Sequence, residues 1–207
     1  MTRKTARKPA ARYHHGNLRQ ALLDEAIRTI RGGGVDSVKL RDVGRKLGVS
    51  RTALYRHFAD KSALIAAVAR EGFERFRRDL ADAWRAAGGG LEGLEAMGTA
   101  YIRFALANRS HYRVMFGQFG RERECDAALV AEASAAFQVL VDALVSLQEA
   151  GLARRDNPET LANFIWAASH GVAMLALDGQ LGPDADAGAS LMRYAGDRLR
   201  ASIRPGA

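Results

Sequence analysis

Apolar positions recur every three or four residues along most of the chain, and this spacing predicts helices instead of strands. The first predicted helix follows Asn17, a good N-cap, and ends at the glycines of 32–34. A short second helix, a turn at 48–50 and a short third helix come next. Asp60 is the predicted cap of a long fourth helix that ends at the glycines of 88–90. Further helices are predicted at about 91–108, 110–117, 122–150, 158–179 and 185–203. The pattern predicts an all-α fold.

The positive charge is concentrated near the amino terminus. The formal net charge is +8, from 31 Lys and Arg against 23 Asp and Glu. Residues 1–60 hold 14 basic and 5 acidic side chains, whereas residues 61–207 hold 17 basic and 18 acidic ones. This concentration of positive charge favours a polyanionic partner, with nucleic acid the first candidate and an anionic membrane surface the second.

Several other classes of protein are not expected. No uninterrupted apolar run approaches the roughly 18 residues of a membrane-spanning helix, and no apolar stretch follows the basic start, so neither a membrane protein nor a secretory signal is predicted. The single cysteine, Cys125, cannot form an internal disulfide, which suits the reducing cytoplasm. Gly88, Gly90 and Gly93 match a dinucleotide fingerprint only formally, because a helix and not a strand precedes them. We therefore expect a cytoplasmic protein with no catalytic residues, no metal site and no cofactor.

Two short helices joined by a turn with a glycine, inside the basic region, are typical of a helix-turn-helix. Val43, Leu47 and Leu54 are candidates to fix the angle between these helices, and Gly48 permits a tight turn. No acidic residue occurs between residues 45 and 59, so this surface can approach phosphates without repulsion.

The segment from Leu40 to Phe58 contains Gly-Val-Ser at 48–50 and Leu-Tyr-Arg-His-Phe at 54–58, and Asp-Lys follows at 60–61. In these motifs the chain resembles the TetR/AcrR family of transcriptional regulators. The resemblance implies a flexible basic arm (1–16), a three-helix helix-turn-helix DNA-binding domain (17–62) and a helical ligand-binding and dimerisation domain (63–207), joined through the long fourth helix. It also implies a homodimer that reads two half-sites of a double-stranded operator, about 34 Å or a multiple apart. The family default is a repressor that a small apolar or amphipathic effector releases.

Carried over by position, the resemblance assigns DNA contacts to Arg41, Ser50, Arg51, Thr52, Ala53, Tyr55, Arg56, His57 and Lys61. Ser50 would also cap the recognition helix. From the residues alone, Tyr55 could instead be a core aromatic, and His57 could be structural. Lys39 stands where the family usually has a capping Ser or Thr, and Gly44 replaces a common alanine at about 1 kcal/mol of helix propensity.

The central helices carry many flexible or aromatic side chains, which indicate either a packed core or a chamber for an apolar or amphipathic molecule. The segment from Trp166 to Gly171 resembles the tryptophan–histidine–glycine signature of one TetR carboxy-terminal subclass, and the family resemblance favours a chamber. His170 is either a hydrogen-bonded core residue or a ligand contact. The candidate lining residues are Met97, Tyr101, Phe104, Tyr112, Met115, Phe116, Phe137, Trp166 and His170.

The last two long helices are the candidates for the dimer interface, because both carry apolar stripes. The small residues Ala167 and Gly171 would let another backbone approach closely. The predicted interface residues are Leu161, Ile165, Ala168, Val172, Leu175, Leu191, Tyr194 and Arg198. The alternative function is a helical ligand-binding or protein-interaction module that does not bind DNA.

Overall fold

The computed structural model describes residues 18–117, 126–181 and 185–204, and the regular structure within these ranges is helical. The basic arm, the Asn17 cap and Cys125 lie outside the described residues. The helices are α1 (Leu18–Gly33), α2 (Leu40–Lys46), α3 (Arg51–His57), α4 (Lys61–Ala86), α5 (Gly90–Ala107), α6 (Arg109–Phe116), α7 (Ala127–Glu149), α8 (Pro158–Leu177) and α9 (Ala185–Ile203), with a 3-10 turn at Val35–Ser37. The predicted all-α class is confirmed. The chain divides into two compact units, Met1–Leu64 and Ile65–Ala207.

The helices of the first unit enclose a small apolar core. Leu22 and Ala26 of α1 are fully buried, and Val43 of α2 and Leu54 of α3 are at most 2% exposed. Their spacing places one face of each helix toward the others. The side chain of Ser50 accepts a hydrogen bond from the Ala53 amide at 3.2 Å, so the predicted cap of α3 is confirmed.

The second unit contains the longer helices and a larger core. One cluster joins α7, α8 and the end of α9 through Leu144, Leu147, Ile165 and Ile203. Helices α7 and α8 are long and apolar enough to cross a membrane, with mean hydropathies of 1.7 and 1.4. Because both contribute side chains to this cluster, we interpret them as core helices.

The ends of the helices follow local hydrogen bonds. The Asp60 carboxylate accepts from the Ala63 amide at 2.8 Å, and Asn157 caps α8 by accepting from Thr160 at the same distance, with Pro158 in the first turn. Helix α7 starts later than the predicted residue 122, because Asp126 is its N-cap and accepts from the Leu129 amide at 2.9 Å.

Candidate nucleic-acid interface and ligand chamber

The geometry of the helix-turn-helix depends on two glycines. Gly48 has φ +68°, a left-handed conformation that lets the chain turn between α2 and α3. Gly44 lies where α3 packs on α2, and a Cβ at this position would lie 3.0 Å from Leu54 Cδ2. The glycine therefore permits a close helix contact, and this explains why α2 carries it despite the propensity cost.

The amino-terminal end of α3 presents its polar side chains to solvent. Arg51, Thr52 and Arg56 are exposed, Ala53 is half-buried, and Tyr55 is 37% exposed. This exposure excludes Tyr55 from the core, which resolves the alternative left open by the sequence. His57, at the other end of α3, and Lys61, the first residue of α4, are half-buried.

Arg41, Arg51 and Tyr55 meet in one exposed group, which we call the cationic cluster. The Arg51 guanidinium lies 5.6 Å from the centroid of the Tyr55 ring, a cation–π distance. A hydrogen bond from Arg41 lowers the pKa of the Tyr55 hydroxyl, and the charges of Arg41 and Arg51 lower it further. The structure thus brings together a residue of α2 and two of α3 in an arrangement that can bind an anionic oxygen.

Three other described cations of the first unit, Arg28, Arg45 and Lys46, have acidic partners that the sequence did not reveal. Lys46 Nζ lies 3.0 Å from a carboxylate oxygen of Glu25, a buried residue of α1 that also pairs with Arg28 at 3.1 Å. Arg45 pairs with Asp42 at 2.9 Å. The Lys61 ammonium, predicted to meet a phosphate, lies 3.5 Å from the carbonyl oxygen of Asp36.

A cavity of about 1520 Å³ lies in the second unit, above the roughly 300–1,000 Å³ of most small-molecule sites. Side chains of α4 to α9 line it, and most of the inner wall is aromatic or aliphatic. Five of the predicted chamber residues line this cavity, namely Met97, Tyr101, Phe116, Phe137 and Trp166. The wall also contains Phe73, Phe76 and Leu80 of α4 and Leu91 and Leu94 of α5, which were not among the candidates from the sequence.

The other predicted chamber residues pack behind this wall. Phe104, Tyr112 and Met115 are at most 2% exposed and do not line the cavity. They fill the contacts of α5 and α6 with their neighbours, and Phe104 packs at 5.1 Å from the ring of Phe76. Each of the three is buried in the core and not at the cavity surface, and a ligand contact for them stays a prediction.

His170 also stands behind the cavity wall, within a hydrogen-bonded network. Its Nδ1 lies 2.7 Å from the Tyr112 hydroxyl and 3.3 Å from the Tyr101 hydroxyl, and the two hydroxyls are 2.8 Å apart. The Trp166 indole N–H donates to the Tyr101 hydroxyl oxygen at 3.2 Å. Burial lowers the pKa of His170 and raises the pKa of Tyr101 to about 12, so these groups are neutral at pH 7. The structure therefore favours the hydrogen-bonded alternative for His170, which is half-buried and absent from the cavity lining, and a ligand contact stays a prediction.

Charged side chains of α5 and α9 form a rim where the cavity reaches the surface. Glu95 of α5 pairs with Arg200 of α9, and both line the cavity. Arg103, Arg193 and Asp197 are further exposed members of this rim. The sequence could not reveal the Glu95–Arg200 pair, because 105 residues separate its members.

The outward face of α8 differs from the predicted interface. Leu161, Ile165 and Val172 are at most 8% exposed within a single chain, because they pack on the core of the second unit. These three side chains therefore have little surface to offer a partner, and their assignment to the dimer interface stays a prediction that the single chain does not support. The exposed stripe contains Phe164 (54% exposed), Ala167, Gly171 and Leu175 (39%). On α9, Tyr194 and Arg198 are exposed, whereas Leu191 is half-buried.

Comparison with known proteins gives consistent matches to one family. Residues 22–68 match the family described as bacterial regulatory proteins, tetR family, and residues 94–197 match the tetracyclin repressor-like C-terminal domain. The chain is 40% identical over 62 residues to the HTH-type transcriptional repressor Rv1474c of Mycobacterium tuberculosis, and 35% identical over 79 residues to the HTH-type transcriptional regulator BetI of Agrobacterium fabrum. The first match covers 30% of this chain and 33% of the repressor, and the second covers 38% of each.

A solved structure extends the similarity to almost the whole chain. A protein of unknown function from Rhodococcus sp. RHA1 is 31% identical, with a TM-score of 0.83 over 93% of this chain and 98% of that one. The carboxy-terminal family match alone covers half of the sequence. The fold and both family matches therefore indicate the same family. The chain belongs to the TetR family of regulatory proteins.

Proposed function

We propose that the protein is a cytoplasmic, non-enzymatic transcriptional regulator that binds a double-stranded DNA operator as a homodimer. The observation that carries this proposal is the exposed cationic cluster of Arg41, Arg51 and Tyr55 at the start of the recognition helix. A guanidinium can bind a phosphate or the edge of a guanine with two hydrogen bonds. Ser50, Thr52 and Ala53 would then face base edges, while Arg56, His57 and Lys61 would contact the flanking phosphates.

A titration of duplex DNA against salt tests this part of the proposal. The full chain is used to select a duplex from genomic fragments, and its affinity for that duplex is measured by fluorescence anisotropy at several salt concentrations. Log affinity should fall with log salt with a slope of about −0.9 for each phosphate neutralised. An affinity that does not respond to salt would favour the alternative, a helical module without DNA binding.

A pair of arginine variants locates the contact surface. Arg41→Ala should weaken operator binding by about 1–3 kcal/mol and reduce the salt slope by about 1 for each phosphate that is no longer neutralised. Arg31→Ala is the matched control, because it removes the same charge from an exposed position of α1. Equal effects of the two variants would show that general charge, and not the cationic cluster, determines affinity.

The proposed dimer interface is the exposed stripe of α8 together with Tyr194 and Arg198 of α9. Gly171 lies in the middle of this stripe, and a Cβ at Gly171 would meet nothing within 4 Å in the single chain. Gly171→Leu should therefore leave the fold of the monomer intact and raise the helix propensity of α8. In the dimer, the added side chain should separate α8 from the closely packed helix of the partner. Light scattering should show a shift from twice 22.4 kDa to 22.4 kDa. A variant that remains dimeric would place the interface elsewhere.

The cavity supports regulation by a small apolar or amphipathic effector. We infer that the effector binds more tightly to a state in which the two recognition helices no longer match the half-site spacing. A roughly 100-fold difference in affinity between the two states corresponds to about 2.7 kcal/mol and would weaken operator binding by up to the same factor. Helix α4 is the continuous element that carries this change, since it begins in the first unit and continues into the second.

A further inference from the structure

We propose that the effector is an amphipathic anion, whose acid group binds Arg200 at the rim of the cavity while its apolar body lies against the aromatic inner wall. This inference rests on the proposed ligand-responsive function and names the chemical class of the ligand. It follows from three features of the cavity: the distribution of polar groups along the wall, the pairing of Arg200, and the space beside that pair.

The polar groups of the wall are distributed unevenly. The inner wall is formed by rings and aliphatic chains, including Phe76, Phe116 and Trp166. Tyr101 also lines this part, but its hydroxyl already bonds to Trp166 and Tyr112. The lining also contains uncharged polar residues such as Thr99, Ser134 and Ser169, which can hydrogen-bond to a ligand but cannot balance a full charge. Within the described part of the chain, the charged side chains of the wall are on α5 and α9, so a charged head group belongs at the rim.

The charges of the rim favour an acid. Among the described residues, three arginines (103, 193 and 200) and two acidic residues (Glu95 and Asp197) line it. Arg193 donates to Ser190 on its own helix at 3.1 Å, and Arg103 has no ion pair among the described residues. Glu95 is already paired with Arg200, so the described part of the rim retains a surplus of positive charge, with Arg103 and Arg193 against Asp197. A cationic head group would be repelled by this surplus and would have to compete with Arg200 for Glu95.

The Glu95–Arg200 pair shows that a carboxylate can be seated at this position. The Arg200 guanidinium is about one-third exposed and already binds a carboxylate within the cavity wall. Glu95 is 62% exposed on α5, so it can rotate into water at little cost. Glu95 thus occupies the place that we assign to the acid group of the ligand, and the two carboxylates would compete for one guanidinium.

The space beside the ion pair is open. Gly98 lies one turn from Glu95 on α5, and Gly196 lies one turn from Arg200 on α9. Both glycines line the cavity, and a Cβ at either position would meet nothing within 4 Å. The two helices therefore leave a gap beside Arg200, through which the apolar body of a ligand can reach the inner wall while its head group stays at the rim.

Competition against a neutral fluorescent probe tests the proposal. The full-length protein is loaded with 1-N-phenylnaphthylamine, and the probe is displaced by dodecanoate, dodecanol or dodecylammonium below their micelle concentrations. The three competitors have the same chain and differ in the charge of the head group. Dodecanoate should bind more tightly than the other two. Because a partly exposed ion pair contributes roughly 0.2–1 kcal/mol, we expect a preference of up to about fivefold.

Two variants assign the preference to the ion pair. Arg200→Gln should abolish the preference for dodecanoate and should leave the affinity for dodecanol unchanged. Glu95→Gln should raise the affinity for dodecanoate by about two- to fivefold, because it removes the competing carboxylate. The affinity for dodecanol should not change. Matched controls are Arg85→Gln and Asp82→Asn, which alter an exposed ion pair of α4 that does not line the cavity. Because the Glu95 side chain is exposed, Glu95→Gln should fold, and it tests the proposal even if Arg200→Gln does not fold.

The outcomes separate this inference from the function on which it rests. If the probe binds and the three competitors displace it equally, or if dodecylammonium is preferred, the anionic class is refuted and the chamber remains. If the Glu95 variant does not strengthen dodecanoate, the assignment to Arg200 is refuted. If neither the probe nor any competitor binds, the chamber itself is refuted, whereas operator binding, measured separately, still tests the DNA-binding function.

Discussion

The contact between α4 and α6 should make Gly72 intolerant of alanine. Gly72 lies on α4, and a Cβ there would lie 2.6 Å from Met115 Sδ and 2.9 Å from Met115 Cγ. Met115 is fully buried, so it has little room to move aside. In an unobstructed helix, a change from glycine to alanine stabilises by about 1 kcal/mol. Overpacking costs about 1–3 kcal/mol, so Gly72→Ala should destabilise the protein by about 1 kcal/mol.

A double-mutant cycle with Met115 isolates the steric contribution. Met115→Ala alone should cost about 2–5 kcal/mol, because it empties a fully buried site. In that background the obstacle to a Cβ at Gly72 is absent, so Gly72→Ala should stabilise by about 1 kcal/mol. The effect of the same substitution thus changes sign, which corresponds to a coupling energy of about 2 kcal/mol.

Urea unfolding followed by circular dichroism measures all four corners of this cycle, with Gly98→Ala as a control. A Cβ at Gly98 meets nothing within 4 Å, so this variant should show the propensity gain alone. If Gly72→Ala stabilised the protein as much as Gly98→Ala, α4 and α6 would not be packed as closely as the structure shows. The contact also concerns function, since Phe116, the next residue of α6, lines the cavity.

Three further predictions concern polar side chains that bond within the protein. Glu25→Gln should lower the free energy of unfolding by about 1 kcal/mol, because it weakens the pairs with Lys46 and Arg28, and an unchanged urea midpoint would contradict this. Tyr112→Phe should cost about 1–2 kcal/mol, since its hydroxyl bonds to His170 and Tyr101; thermal unfolding that matches the parent protein would show that these bonds contribute nothing. Burial lowers the pKa of His170, so the unfolded chain binds a proton before the folded one as the pH falls below the ordinary value of 6.5. The free energy of unfolding should therefore decrease below that pH, and it should decrease less in His170→Gln. Parallel pH profiles of urea unfolding for the parent and the variant would refute this role of His170.

The sequence predicted those parts of the fold that depend on neighbouring residues. The caps at Ser50, Asp60 and Asn157 were recognised because the bond from a capping side chain to an amide three residues later is local. The exposure of Arg51 and Thr52 followed from the helix-turn-helix pattern in the same way. These features depend on spacing along the chain and not on tertiary contacts.

The faces of α8 could not be assigned in this way. This helix is apolar on most sides, so an apolar stripe at helical spacing does not distinguish the core from a partner. Leu161 and Ile165 were expected at an interface and lie in the core, whereas Phe164, one position away from Ile165, is exposed. In the chamber, likewise, Phe116 faces the cavity and Met115 beside it does not. A shift of one residue rotates a side chain by about 100° around the helix, and only the tertiary packing determines which rotation is correct.

The placement of acidic residues, more than the net charge, defines the proposed DNA-binding surface. Among the described residues of the first unit, Arg28, Arg45 and Lys46, on α1 and the end of α2, pair with carboxylates. Arg41 and Arg51 instead contact the Tyr55 side chain, which leaves their charge available to a phosphate. An ion pair that already holds a cation must be broken before that cation can neutralise DNA, so the paired residues contribute less to binding. The basic excess of residues 1–60 favours a polyanionic partner for this part of the chain. Because Glu25 and Asp42 pair with Arg28, Arg45 and Lys46, we propose Arg41 and Arg51 as the cations of the DNA-binding surface.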